Sequence, residues 1–130
     1  MTLSKSSEEK LQTCNEKLQE LVRTYIKYGD VKIGISCGTR TLEAQQEAYK
    51  NKKSQLDGIN KKSKHQSHPS KAFDFFVLND DKSANWNDVS KYKYVAFYFK
   101  SIAKAKNIDI IWGGDFKSFK DYVHIELNNL

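Results

Sequence analysis

The order of helix-like and strand-like segments predicts an α+β fold, in which a small antiparallel sheet is flanked by helices. Three segments have apolar residues at helical spacing, four short segments have the apolar pattern of strands, and no segment repeats. The chain has 130 residues, of which 38% are hydrophobic. Because this length and composition are typical of one globular domain, we predict a single domain over residues 1–130 without a separate binding domain.

The three predicted helices have polar start signals and apolar stripes. The first is expected from about residue 6 to residue 28, with Ser6 and Glu9 forming a capping box. It carries no residue suited to chemistry and is interpreted as scaffold. The second helix is expected over residues 41–52 and the third over residues 89–106.

Four strands are predicted from short apolar or alternating runs. They are expected over residues 31–36, 72–78, 108–112 and 122–127, with a further short strand considered near residues 56–59. The second and fourth strands alternate apolar and polar residues. Each of them therefore turns polar side chains to the face opposite the core.

The composition limits the classes of partner. Lys and Arg number 22 and Asp and Glu number 16, which gives a net charge of +6. Such a charge favours nucleic acid, an anionic membrane or an anionic cell wall. The lysine-rich segment 51–64 lacks interleaved aromatic residues for base stacking, which favours a solvated loop over a nucleic-acid surface. We expect a monomer that neither binds nucleic acid nor inserts into a membrane.

The start of the chain and the cysteines indicate a reducing compartment. The first residues contain no apolar stretch of the signal-peptide kind, so we expect a protein that is made in the cytosol and acts elsewhere only after release. Cys14 and Cys37 lie among apolar neighbours and form no CxxC pair. Both are interpreted as buried thiols.

Two histidines and an aspartate suggest a metal site. Asp74 lies in the middle of the second predicted strand, where a carboxylate without a partner would be costly, and His124 lies in the fourth. His65, in the loop before Asp74, adds a second imidazole. Two histidines and a carboxylate with one open position form a catalytic zinc site. The same set holds non-haem Fe(II) in oxygenases, whose fold needs more strands than this chain offers.

Three further charged residues are candidates for chemistry. Asp121 and Glu126 flank His124, and either is suited to act as a general base. Arg40 lies at the turn between the first predicted strand and the second helix. Position alone favours a solvated charge there, but a planar cation at that turn is also able to bind a carboxylate or a developing oxyanion.

Taken together, these residues resemble a known family, the zinc peptidases of the D-alanyl-D-alanine carboxypeptidase and L-alanyl-D-glutamate endopeptidase type. That family includes many bacteriophage endolysins and shares the core fold of the hedgehog signalling domain. The similarity runs from about residue 33 to residue 127. The segments that carry it are Ser36-x-Gly38-x-Arg40-Thr41 followed by Gln45 and Tyr49, Ser63-x-His65, Ala72-x-Asp74, Trp112-Gly113-Gly114-Asp115-Phe116, and Asp121-x-x-His124-x-Glu126.

The resemblance implies roles for individual residues. It implies His65, Asp74 and His124 as zinc ligands. It implies Asp121 as the acid/base that moves protons between the attacking water and the leaving amine, and Arg40 as a residue that helps to hold the substrate or the oxyanion. Because Asp121 precedes His124 by three residues, it is expected in the turn before the strand.

Ser63 and Glu126 have supporting roles in this resemblance. Ser63 is implied as a contact to the substrate or to a ligand, and Glu126 as a support for a ligand or for strand pairing. Asp74 follows His65 by nine positions, and this spacing resembles a longer form seen in some phage members. His65 is favoured over His68 as the ligand, because His68 precedes a proline and is biased to an extended, outward conformation.

The resemblance implies an enzyme that hydrolyses the peptide stem of bacterial peptidoglycan, with zinc as its cofactor. Cleavage between L-alanine and D-glutamate is the preferred expectation, in a phage endolysin that stays in the host cytoplasm until lysis releases it to the wall. D-alanyl-D-alanine carboxypeptidase activity is the alternative within this class. The alternatives from other classes are a zinc-containing binding module without catalysis and a basic nucleic-acid binder.

Overall fold

The predicted α+β class is confirmed by the computed structural model, which describes residues 1–128 and has four α-helices and a five-stranded antiparallel sheet in this range. The helices are α1 (Lys5–Leu11), α2 (Glu16–Tyr28), α3 (Leu42–Lys50) and α4 (Val89–Ala105). The strands are β1 (Ile33–Cys37), β2 (Ala72–Leu78), β3 (Ala84–Asn85), β4 (Ile110–Trp112) and β5 (His124–Leu127). Short 3-10 helices cover Lys64–Gln66 and Gly113–Asp115. None of the helices within residues 1–128 has the length and apolar character needed to cross a membrane.

Strand β2 is the centre of the sheet. The order is β1-β2-β5-β4, and the short β3 pairs with the far end of β2. All of these pairings are antiparallel. A residue in the middle of β2 therefore has neighbours on two other strands.

One face of the sheet packs against α2 and α4. Phe73, Phe75 and Val77 of β2 alternate onto this face and are fully buried. The ring of Phe99 in α4 lies 5.6 Å from that of Phe73, 5.5 Å from that of Phe75 and 4.9 Å from that of Tyr25 in α2. Burying each such side chain stabilises the fold by about 1.5–3 kcal/mol. The aromatic cluster thus joins two helices to the sheet and leaves the opposite face for polar residues.

The N-terminal region differs from the predicted single helix over residues 6–28. Two helices, α1 and α2, form in this region, and the predicted capping box at Ser6 is wrong. The side chain of Ser4 caps α1 by accepting a hydrogen bond from the backbone N–H of Ser7, and Asn15 caps α2. In the break between the helices, Cys14 forms an isolated parallel bridge with Ser70, which brings the N-terminal helices against the loop before β2.

Two smaller predictions about strands also differ from the structure. Residues 56–59 form no strand, and the two-residue strand β3 was not predicted. Strand β5 begins at His124, so that Tyr122 lies in the turn before it. Asp121 accordingly precedes the strand, as expected.

Ser7 connects α1 to the edge of the sheet. Its hydroxyl is buried and accepts a hydrogen bond from the backbone N–H of Ile35 in β1 at 2.9 Å. We expect Ser7→Ala to lower the free energy of unfolding by about 1–3 kcal/mol, because the N–H of Ile35 loses its buried partner. Urea denaturation measures this change.

Ser6→Ala is the matched control for this prediction. The hydroxyl of Ser6 is exposed and, within residues 1–128, accepts a hydrogen bond only from the side chain of Lys10, so its loss should change stability by less than about 0.5 kcal/mol. Equal losses in the two variants would contradict the role given to Ser7.

Candidate active site

Asp74 and His124 face each other across the pairing of β2 with β5. The next pair in this register, Phe73 and Ile125, is buried on the core face. Because side chains alternate along a strand, Asp74 and His124 lie on the opposite, polar face. His65 reaches the same point from the 3-10 helix Lys64–Gln66 and is almost fully buried.

Three side-chain atoms of these residues form a nearly equilateral triangle. Nε2 of His65 lies 3.2 Å from Oδ1 of Asp74 and 3.2 Å from Nδ1 of His124. Nδ1 of His124 lies 3.3 Å from Oδ1 of Asp74. Ligands placed 2.0–2.1 Å from a tetrahedral zinc ion are about 3.3 Å apart. The spacing of the three atoms therefore fits three ligands of one such ion.

The second nitrogen of each imidazole has its own partner. Nδ1 of His65 donates to the carbonyl oxygen of Gly38 at 2.8 Å, and Nε2 of His124 lies 2.8 Å from Oε1 of Glu126. If each ring is neutral and its proton is on this outer nitrogen, then Nε2 of His65 and Nδ1 of His124, which face each other, both carry lone pairs. Two lone pairs and a carboxylate oxygen in van der Waals contact repel one another unless a cation lies between them, so the donor set fits a metal ion.

The pKa shifts show the same preference for positive charge. Burial lowers the pKa of His65 and His124, but contacts with the carboxylate of Asp74, together with Cys37 at His65 and Glu126 at His124, outweigh burial and raise both pKa values above the usual range. Burial raises the pKa of Asp74, yet hydrogen bonds with His124 and His65 hold it well below its usual range. Either protons or a metal cation satisfy such a cluster.

Asp121 lies beside this triangle. Its carboxylate is close enough to the ligand atoms of Asp74 and His124 for all three to lie within 4.8 Å of one another. Burial and the negative charge of Asp74 both raise its pKa above the usual range. The backbone N–H of Asp121 donates to the carbonyl oxygen of Gly113 at 2.9 Å, and its carbonyl oxygen accepts from the N–H of His124 at 3.2 Å. These backbone contacts fix the turn before β5.

A cavity of about 730 Å³ opens onto the triangle. Its size is within the range of small-molecule sites. Its lining includes residues 53–56, 62–64 and 116–119. The triangle and Asp121 form part of its lining, so the cavity gives access to both the candidate ligands and the carboxylate of Asp121.

Comparisons with known proteins decide the family. Residues 1–129 match the sequence profile of a family described as phage L-alanyl-D-glutamate peptidase. The chain belongs to this family. Its structure is similar to the crystal structure of Serratia marcescens L-Ala D-Glu endopeptidase ChiX, with a TM-score of 0.82 and 25% sequence identity over 98% of this chain and 90% of that one. A comparison with curated proteins gives no match.

The predictions of family and of enzyme class are thereby confirmed. The protein is a peptidoglycan peptidase, and therefore a hydrolase, of the phage L-alanyl-D-glutamate type. The sheet and helices agree with the fold that the resemblance implied.

Two residues of the peptidase hold His65 in place. Ser63 caps the 3-10 helix: its hydroxyl accepts from the N–H of His65 at 3.2 Å, while the side chain of Gln66 accepts from the N–H of Ser63 at 2.8 Å. The carbonyl oxygen of His65 accepts from the N–H of Arg40 at 2.6 Å. Ser63 is buried and also lines the cavity, so its position is compatible with contact to a ligand and with contact to the substrate.

Glu126 lies behind His124. One carboxylate oxygen contacts Nε2 of His124, and the other lies 3.0 Å from Nζ of Lys64. Burial raises the pKa of Glu126, but the contacts with His124 and Lys64 outweigh it and lower the pKa. A carboxylate on the outer nitrogen of a histidine ligand fixes its ring orientation and its tautomer.

Arg40 contacts a candidate ligand directly. Its Nη2 lies 3.4 Å from Oδ2 of Asp74, and its Nη1 donates to the buried side chain of Gln45 at 2.7 Å. The contact with Asp74 was not predicted from the sequence. It occupies the carboxylate oxygen that the histidines leave unused. Arg40 also lines the cavity.

The interpretation of both cysteines as buried thiols is wrong for Cys37, since only Cys14 is buried. Cys37 is half-buried, and its sulfur lies 3.7 Å from Nδ1 of His65. Strict alternation from Ile35 would turn Cys37 to the core, but the register of β1 shifts between these two residues. The sulfur forms a second candidate ligand group with His65 and Asp74, but it approaches His65 from the nitrogen that faces away from His124.

His68 lies outside the site. It is exposed and has no contact with the triangle among the described residues. The structure thus brings together His65, Asp74 and His124, places Asp121 beside them, and leaves His68 in the spacer.

Gly113 leaves no room for a side chain beneath Asp121. A Cβ atom at Gly113 would lie 2.2 Å from the carbonyl oxygen of Asp121, whereas the three atoms nearest to a Cβ at Gly114 all belong to the ring of Trp112. We expect both Gly113→Ala and Gly114→Ala to destabilise the fold, by about 1–3 kcal/mol. Only Gly113→Ala should also lower hydrolysis per folded molecule, because it displaces the turn that carries Asp121.

The measurement compares wall hydrolysis at a temperature at which circular dichroism shows both variants to be folded. Equal activity of the two variants per folded molecule would contradict the expected displacement of the Asp121 turn in Gly113→Ala.

Proposed function

We propose that this L-alanyl-D-glutamate peptidase is a zinc enzyme in which His65, Asp74 and His124 hold the ion. The observation that supports this is the triangle of Nε2, Oδ1 and Nδ1 with sides of 3.2–3.3 Å. Two imidazoles and one carboxylate with an open fourth position are a common set for catalytic zinc. When bound there, the ion supplies Lewis acidity, which polarises the scissile carbonyl and acidifies the attacking water.

Asp121 is the proposed general acid/base. It is the carboxylate of the cavity lining that has neither the Arg40 contact of Asp74 nor the Lys64 contact of Glu126. Its Oδ accepts a proton from the attacking water, whose oxygen bonds to the alanyl carbonyl carbon. It then delivers a proton to the leaving nitrogen as the C–N bond breaks. A raised pKa suits this exchange, since efficient acid/base groups have pKa values closer to the working pH.

The remaining site residues support this chemistry. Arg40 holds Oδ2 of Asp74, so Oδ1 is turned to the histidines, and adds positive charge next to the cavity where an oxyanion forms. Glu126 orients His124, and Ser63 orients His65 through its backbone N–H. Removing such outer partners of ligands typically costs 10–100-fold in metal affinity or activity.

The proposed biological role is that of a phage endolysin which acts on the cell wall as a monomer after its release from the host cytoplasm. The family description supports a phage origin. The net charge of +6 supports attraction to an anionic wall.

Hydrolysis of purified cell walls tests the proposed roles of zinc and Asp121. We expect turbidity to fall with the wild-type protein, the rate to drop about 10²–10⁴-fold in Asp121→Asn, and chelation to abolish activity that added zinc restores. Asp80→Asn, a change at an exposed loop aspartate, is the control and should leave the rate unchanged.

Mass spectrometry of the released peptides identifies the bond. New carboxyl-terminal L-alanine and amino-terminal D-glutamate are expected. Release of terminal D-alanine alone would instead support the carboxypeptidase alternative, and undiminished cutting after chelation and in Asp121→Asn would refute the mechanism.

The paired variants His65→Ala and His68→Ala test the ligand assignment. We expect His65→Ala to lose zinc, because it removes one corner of the triangle, and His68→Ala to bind about one equivalent, since His68 is exposed in the spacer. Equilibrium dialysis with metal analysis gives the stoichiometry. Loss of zinc only in His68→Ala would overturn the assignment.

A further inference from the structure

The lysine-rich segment 51–64 divides into two groups in the structure. Lys53, Lys62 and Lys64 line the active-site cavity, whereas their neighbours Lys52 and Lys61 do not. The sequence alone favours a solvated loop for all five lysines. Their different positions show that part of this charge belongs to the site.

Some of the positive charge that lines the cavity is unpaired within residues 1–128. Lys64 is paired with Glu126, and Arg40 with Asp74. The side chains of Lys53, Lys62 and Lys117 line the same cavity and have no hydrogen-bond or ion-pair partner among residues 1–128.

Apolar side chains line the same cavity as these lysines. Leu56, Phe116, Phe119 and Val123 belong to the same cavity lining. A low-dielectric wall strengthens the interaction of a nearby lysine with an anion relative to its strength in open water. The cavity is thus able to bind an anionic group more strongly than isolated surface lysines can.

The substrate has an anionic group at a suitable place. In an L-alanyl-D-glutamyl unit, the nitrogen of the D-glutamyl residue is the leaving group. The α-carbon bonded to that nitrogen bears a carboxyl group. We propose that Lys53, Lys62 and Lys117 form the subsite that recognises the carboxylate of this D-glutamyl half. The inference rests on the proposed function, because that function places the scissile bond at the His65, Asp74 and His124 triangle.

The predicted size of the effect follows from the exposure of these lysines. Exposed ion pairs contribute about 0.2–1 kcal/mol each, which corresponds to a change of about 1.4- to 5-fold in binding. Neutralising all three lysines should therefore raise KM roughly 10-fold while changing kcat little. The effect should shrink at high salt, which screens exposed charges.

The test compares two substrates and two triple variants. The first substrate is a soluble stem peptide whose D-glutamyl residue has a free α-carboxylate. The second is the same peptide with that α-carboxylate converted to an amide. The variant K53Q/K62Q/K117Q removes the proposed subsite. The control K52Q/K61Q/K93Q removes the same charge at the two neighbouring lysines and at an exposed lysine of α4, all outside the cavity lining.

We expect the subsite variant to lose about 10-fold in kcat/KM on the acid and less than 2-fold on the amide, while the control loses less than 2-fold on both. Equal losses on acid and amide, or the same loss in the control, overturn the subsite. Wild-type protein that cuts neither substrate refutes the proposed function itself, so the two failures are distinguishable.

Zinc stoichiometry and thermal melts establish that each variant is loaded and folded. If the triple variant folds poorly, the single variants K53Q and K117Q, which change two separate segments of the cavity lining, replace it. Each should lose about 2- to 5-fold in kcat/KM on the acid substrate only.

Discussion

The register between β2 and β5 is the constraint on which the site depends. It sets Asp74 opposite His124, and a slip of one residue would turn His124 to the core and Ile125 to the cavity. Phe73 and Ile125, buried on the other face, oppose such a slip because it would expose apolar surface. The core that stabilises the sheet therefore also sets the distance between two candidate ligands.

His65 is positioned by different means, since it lies in a loop and not in the ladder. Its ring donates to the carbonyl oxygen of Gly38, and the next residue, Thr39, donates its backbone N–H to the hydroxyl of Thr13 in the break between α1 and α2. A Cβ at Gly38 would lie 2.2 Å from that hydroxyl oxygen. Ser70, in the spacer, also donates its N–H to the carbonyl oxygen of Thr13 at 2.9 Å. The N-terminal helices, interpreted from sequence as scaffold, thus support a loop that holds a candidate ligand, and the long spacer is bound to the same break.

The sequence predicted those features that repeat along an element. The alternation in β2 and β5 placed Asp74 and His124 on one face, and the apolar stripe of α4 predicted its core contacts. It missed features that depend on a local break. The periodicity of Leu11, Cys14 and Leu18 continues through the end of α1, so the pattern does not show that the helix stops there. The bulge in β1, which turns Cys37 toward His65, likewise leaves no mark on the alternation.

The lysines of this protein act over two different distances. The net charge of +6 acts over the Debye length of about 8–10 Å and draws the protein to anionic polymers whichever lysines carry it. Lys64 acts at 3.0 Å on Glu126 and, through it, on the orientation of His124. Lys53 lines the cavity and Lys52 does not, a difference that residue type and spacing cannot show, because loop 51–63 has no regular secondary structure. The fold therefore decides whether a lysine contributes to long-range attraction, to ligand orientation or to contact with the substrate.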